Sequence, residues 1–71
     1  MNRDEHLAWC KKRALEYLDR GDLQNAIASM SSDLLKHNEL KNISTAMMPM
    51  GLFFLMHHDA IGARRWIEGF N

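Results

Sequence analysis

The segment ALEYLDRGDLQNA, residues 14–26, has the pattern of two helix ends joined by a tight turn. Gly21 is the residue type that most often ends a helix, and Asp22 is suited to cap the next one. The segment GLFFLMHHDAIGA, residues 51–63, repeats this pattern at an offset of 37 residues, from 14 to 51. We therefore predict two antiparallel helical hairpins. The equivalent pairs are Leu15 and Leu52, Tyr17 and Phe54, Leu18 and Leu55, Asp22 and Asp59, and Ala26 and Ala63.

The whole chain predicts an all-α protein with a single four-helix domain, residues 1–71. It contains one proline and four glycines, and residue types that favour helices dominate. Asn2 is suited to cap the first helix. The four helices are expected at about residues 3–20, about residues 23–37, from near Ser44 or Thr45 to near His57, and at about residues 59–70. Pro49 must lie in the first turn of the third helix or kink it.

Helical spacing indicates which residues pack inward. They are Leu7, Cys10, Ala14, Tyr17 and Leu18 in the first helix, Leu23, Ala26, Ile27, Met30 and Leu34 in the second, and Ala60, Ala63, Ile67 and Phe70 in the fourth. Trp66 is expected at the edge of the core. Cys10 is the only cysteine. Its position on an apolar face predicts a small buried side chain rather than a nucleophile.

The sequence contains no recognisable catalytic or cofactor-binding pattern. His57, His58 and Asp59 are adjacent, but neighbouring side chains on a helix point about 100° apart, so they rarely bind one ion together. We interpret them as a polar helix end. We therefore expect no enzyme activity, no cofactor and no metal. The N-terminal residues mix acids and bases where a secretory signal requires an apolar segment, which predicts a cytoplasmic protein.

Basic residues occur in two clusters, although nine basic and nine acidic residues cancel in the chain as a whole. Dedicated nucleic-acid-binding domains usually carry a net positive charge. The two clusters would form a phosphate-binding stripe if both faced one side of a dimer. They are Lys12 and Arg13 in the first helix, and Arg64 and Arg65 in the fourth. Nucleic-acid binding through these four residues is therefore the alternative function, not the leading one.

The third predicted helix contains the strongest functional signal, the run AMMPMGLFFLM at residues 46–56. No Asp, Glu, Lys or Arg occurs between Lys41 and Asp59, but this segment is shorter than the about 20 apolar residues that span a membrane. A domain of 71 residues cannot surround a helix that is apolar on all sides. We expect part of this helix to bind protein, either a second copy in a homodimer or a larger target. The expected interface residues are Met48, Leu52, Phe53 and Met56. Trp9 is expected either to cover the edge of the core or to be a further, exposed anchor for the partner.

Two resemblances add to this interpretation. EYLDRGDLQNAI, residues 16–27, resembles one tetratricopeptide helix pair, although the usual proline after the second helix is missing and the offset exceeds that family's repeat of about 34 residues. LAWCKKRALEYLDRGDLQNAIASMSSDLLKH, residues 7–37, and RRWIEGF, residues 64–70, together resemble small helical accessory proteins of tailed bacteriophages. That family has no agreed biochemical activity, so the resemblance assigns no functional residue.

The phage resemblance implies a viral protein in the cytoplasm of the host cell. Small phage proteins commonly bind a host or viral protein and inhibit or redirect it. The leading expectation is therefore a non-enzymatic accessory protein that acts by protein–protein binding. A nucleic-acid-binding helical dimer, or a component of the virion or its assembly, is the alternative.

Overall fold

The computed structural model describes residues 2–71, and these residues form four helices. The helices are α1 (Arg3–Asp19), α2 (Leu23–Leu35), α3 (Lys41–Met56) and α4 (Ala60–Glu68). No strand occurs among residues 2–71, so the predicted all-α class is confirmed. Helices α2 and α4 contact each other and both of the remaining helices. The core therefore lies around α2 and α4.

The turn between α1 and α2 forms as its residues predict. Gly21 has a φ of +77°, in the left-handed region that glycine adopts readily. The Gly21 N–H donates to the Leu18 carbonyl at 2.9 Å, and the Asp22 N–H donates to the Tyr17 carbonyl at 2.9 Å. The Asp22 carboxylate accepts a hydrogen bond from the Asn25 N–H at 3.2 Å. These bonds satisfy backbone groups at the end of α1 and the start of α2.

The turn between α3 and α4 has the same hydrogen bonds, with a histidine in place of the glycine. His58 has a φ of 51°, and its N–H donates to the Leu55 carbonyl at 3.2 Å. The Asp59 N–H donates to the Phe54 carbonyl at 2.9 Å. The Asp59 carboxylate accepts from the Gly62 N–H at 2.8 Å. Both turns therefore lie where the internal repeat predicts them.

The start of α3 differs from the sequence-based prediction. The helix begins at Lys41, so the predicted start near Ser44 or Thr45 was wrong. Leu40 occupies the cap position and is fully buried. The Ser44 hydroxyl does not cap the helix, because it donates to the Ser31 carbonyl of α2 at 2.8 Å. The helix is therefore anchored by tertiary contacts and not by a side-chain cap.

Pro49 lies inside α3, beyond its first turn. Proline has no N–H, so the carbonyl of Thr45 lacks its usual helical donor at this point. The helix nevertheless continues to Met56. Within residues 2–71, no helix is both long and apolar enough to cross a membrane.

The core contains side chains from α1, α2 and α4, from the connection before α3 and from the segment after α4. The buried apolar residues are Leu7, Cys10, Ala14, Ala26, Ile27, Met30, Leu34, Leu40, Ala63, Trp66, Ile67 and Phe70. Two expectations for α4 were wrong. Trp66, expected at the edge, is only 6% exposed, because its ring lies directly under Gly51, where no side chain occupies the space. Ala60, expected inward, is exposed because it is the first residue of α4 and precedes the buried Ala63.

Candidate functional site

The largest exposed apolar side chains of α3 lie close together on its surface. Met50, Leu52, Phe53 and Met56 are 51%, 48%, 54% and 77% exposed. We call these four side chains the α3 face. Met50, Phe53 and Met56 follow one another at a spacing of three residues, which places neighbours on the same side of a helix. The exposure expected for Leu52, Phe53 and Met56 is observed, and Met50 is a member that sequence reasoning missed.

The α3 face is exposed because α3 makes its closest approach to the core through small residues. Only Ser44 and Gly51 of this helix are buried. A Cβ atom at Gly51 would lie 2.7 Å from the Trp66 ring and 3.2 Å from an Ile27 methyl group. The α3 backbone therefore lies directly on the core at Gly51. The larger side chains that pack beside this contact are only partly buried, and they are Ile43, Met47, Phe54 and Leu55.

An apolar groove of about 400 Å³ lies between α2 and α3. Ala28 and Ser32 line it from α2, and Leu52 lines it from α3. Leu35, which is 47% exposed, lies at the same groove. Met48, expected at the interface, is half-buried and lines this groove. Small residues beside a ridge of large ones form a shape that can receive an apolar helix.

A second apolar groove, of about 510 Å³, runs along the other side of α3. Its lining residues are Ala46, Met47, Pro49, Met50, Phe53 and Phe54. Phe53 therefore lines one groove, while its neighbour Leu52 lines the other. The α3 face is thus a ridge between two depressions, and its methionines can adapt to partners of different shape.

Trp9, the further anchor expected from the sequence, lies elsewhere. It is half-buried on α1, and no contact between α1 and α3 occurs in residues 2–71. The Arg13 guanidinium lies 4.8 Å from the centroid of the indole ring, and the Lys36 ammonium lies 5.8 Å from it. The structure therefore does not bring Trp9 together with the α3 face.

A buried carboxylate, Asp33, organises the surroundings of Trp9. Asp33 is 2% exposed, and its carboxylate contacts Arg13 Nε and Lys36 Nζ at 3.2 Å each. The Ser29 hydroxyl donates to it at 3.1 Å. The His6 ring lies with Nε2 at 2.7 Å from the Asp33 carbonyl. Sequence reasoning missed this network, although an aspartate next to the apolar Leu34 was the available signal. The network connects α1 to α2, which is a structural role.

The four basic residues of the alternative function do not form one unpaired cluster. Arg13 pairs with the buried Asp33, and Arg64 pairs with Asp19 at 2.8 Å. Lys12 and Arg65 are exposed and have no ion pair with any residue in the range 2–71. Half of the predicted cationic stripe is therefore neutralised by nearby carboxylates.

The candidate metal and nucleophile positions have structural roles. Asp59 caps α4, His58 is the left-handed turn residue, and the His57 ring lies 4.4 Å from the Phe53 ring. Among residues 2–71, no cluster of three or more His, Cys, Asp or Glu side chains has the arrangement to hold a metal ion. Cys10 is fully buried. Burial, together with the nearby Asp33 carboxylate, raises the pKa of its thiol to about 11, so the thiol is protonated at neutral pH.

No known protein family, curated protein sequence or solved structure matches the chain. The surface of the molecule itself is therefore the guide to its function, and on that surface the α3 face places four exposed large apolar side chains on one helix.

Proposed function

We propose that this chain is a non-enzymatic accessory protein that acts by protein–protein binding, with the α3 face as its contact surface. One observation carries the proposal: four large apolar side chains, each about half exposed or more, lie together on one helix. Isolated exposed apolar residues are ordinary, but contiguous apolar patches mark protein interfaces. The proposal includes the two antiparallel helical hairpins predicted from the sequence, which would hold α3 on one side of the molecule.

The absence of charge on α3 after Lys41 supports a protein partner. A phosphate-bearing partner would require cations, and Lys41 and Asp59 are the nearest charged residues on either side of the run. The resemblance to phage accessory proteins suggests the biological effect. Binding would inhibit or redirect a host or viral protein in the cytoplasm of an infected cell.

The test is a pull-down with the intact protein and a variant that carries two charges on the α3 face. Leu52→Glu combined with Met56→Glu should abolish capture of a co-purifying protein identified by mass spectrometry. The control is Ile61→Glu on α4, which is also an exposed apolar residue, 72% exposed, but lies outside the α3 face. Circular dichroism confirms that each variant is folded. If the double variant captures the same protein as the wild type, the α3 face is not the contact surface.

Nucleic-acid binding, the alternative function, is tested by replacing only two of the four basic residues, not all four. Replacing Arg13 would also remove one of the two ion-pair partners of the buried Asp33, so a lost gel shift could reflect unfolding. Lys12→Ala combined with Arg65→Ala avoids that problem, because both residues are exposed. A salt-sensitive gel shift that this pair weakens would support nucleic-acid binding and contradict the leading proposal. The presence of the protein in purified virions would favour the assembly role instead.

A further inference from the structure

We infer that the partner on the α3 face, in the free protein, is a second copy of this chain. The inference rests on the proposed function, because it names the occupant of the same surface. In a two-fold dimer each surface patch contacts itself or its own surroundings, so a charge at the centre meets a like charge. The α3 face avoids this conflict, since no Asp, Glu, Lys or Arg occurs between Lys41 and Asp59.

The shape of this region suits self-association. Phe53 and Met56 form a ridge. The groove between α2 and α3 has the small residues Ala28 and Ser32 on its α2 side, with larger apolar side chains such as Leu35 and Leu52 around them. Two-fold symmetry would place the ridge of one copy in the groove of the other, and the reverse contact would form at the same time. Leu35 and Leu52 would then be covered, although each is about half exposed in one chain.

The available area is sufficient for a small dimer. A helix of 16 residues is about 24 Å long. A surface of two packed helices is about 20 Å wide, since the axes lie 8–10 Å apart and each helix is 10–12 Å across. Such a face supplies at most roughly 500 Å² per copy, or about 1,000 Å² in the dimer, which is the size of a weak interface rather than a permanent one. A concentration-dependent dimer follows, and a target that uses the same face would compete with it.

Sedimentation velocity over a range of protein concentrations tests the inference. The wild type should convert from 8.3 kDa to twice that mass as concentration rises. Phe53→Glu should raise the dimer dissociation constant at least about tenfold, because it places two like charges in one apolar interface. Met56→Glu, at a side chain that is 77% exposed and therefore free of folding effects, should act in the same direction. Ile61→Glu should leave the dissociation constant unchanged.

Two results would overturn the inference. The first is a wild-type protein that stays monomeric at millimolar concentration. The second is a dimer that both glutamate variants leave intact. In another outcome the wild type stays monomeric and still captures a target, with capture abolished by Leu52→Glu combined with Met56→Glu. That result would contradict the dimer and leave the proposed function in place. In the reverse outcome Phe53→Glu disrupts the dimer, but no captured protein depends on the α3 face. That result would support the dimer and contradict the proposed binding of another protein through this face.

Discussion

The two turns of this protein are alike. However, α2, which follows the first turn, and α3, which precedes the second, differ in how many residues they bury. Gly21 and His58 both have positive φ, and Asp22 and Asp59 both cap the next helix. Yet α2 buries six residues, including the fully buried Met30 and Leu34, whereas α3 buries only Ser44 and Gly51. The comparison shows that turn chemistry fixes where α1 and α3 end and where α2 and α4 begin. The side chains between the turns decide which surface remains uncovered.

The largest expected effect concerns equivalent core positions in the two halves. Met30 and Ile67 are separated by the same offset as the two turns, and both are fully buried. Met30→Ala and Ile67→Ala should each lower the free energy of unfolding by about 2–5 kcal/mol, because each leaves a cavity. Met56→Ala on the α3 face should change it by less than about 0.5 kcal/mol. Urea denaturation measures all three. A large loss for Met56→Ala in the monomer would show that this side chain is part of the core.

A second expected effect concerns the packing of α3 on Trp66. Gly51→Ala should destabilise the fold by about 1–3 kcal/mol, because the added Cβ would lie 2.7 Å from the indole ring. The equivalent position in the first half is Ala14, which is fully buried and accommodates its methyl group. In a double-mutant cycle, Trp66→Phe should reduce the cost of Gly51→Ala, because the smaller ring leaves room. Equal costs in both backgrounds would show that Trp66 does not limit the space.

A third expected effect concerns the residue with positive φ in each of the two turns, Gly21 and His58. Gly21→Ala should destabilise the protein by about 1 kcal/mol, through backbone conformation alone, because a Cβ there meets no atom within 4 Å. His58→Gly should stabilise it by about 0.5 kcal/mol, since glycine adopts positive φ without that cost but has a more flexible unfolded chain. Thermal unfolding gives both values. Stabilisation by Gly21→Ala would contradict the assigned turn geometry.

The smallest expected effect is a pH dependence specific to the first turn. Hydrogen bonds from the Asn25 side chain and backbone lower the pKa of Asp22 below its usual 3.8. Because the folded-state pKa is depressed, this stabilisation is complete above the unfolded pKa and disappears as pH falls through the folded pKa. Asn25→Gly introduces the residue found at the equivalent position of the second turn and removes the largest cause of the shift. Its free energy of unfolding should therefore fall less between about pH 5 and pH 2 than that of the wild type.

The parts of the fold that depend on neighbouring residues were predictable from the sequence. Asn2, Asp22 and Asp59 cap helices by bonding to backbone groups three residues away, so a short segment contains all the information. The start of α3 depends instead on the buried Leu40 and on the bond from Ser44 to Ser31, which joins residues 13 positions apart. Such contacts exist only after the helices pack.

The candidate site was predictable in the same partial way. An uncharged helix in a small domain predicts exposed apolar residues, and Leu52, Phe53 and Met56 are exposed. The direction of each side chain depends on which residues of α3 contact the core. Gly51 makes that contact, and this rotates Met50 outward and leaves Met48 half-buried. Trp9 lies away from α3 because α1 and α3 are not in contact among residues 2–71. The periodicity of a single helix does not say which helices become neighbours.

The burial of Cys10 makes its thiol a natural reporter of how often the folded protein opens. Thiol-labelling reagents react with an accessible thiolate, and this side chain has no exposed surface in the folded protein. Labelling therefore requires the packing around α1 to open, and its rate at a fixed pH follows the population of opened molecules. Since Cys10 is the only cysteine, a cysteine introduced on the α3 face would be modified alone while the protein stays folded. A fluorophore could thus be attached to that face without altering any other residue.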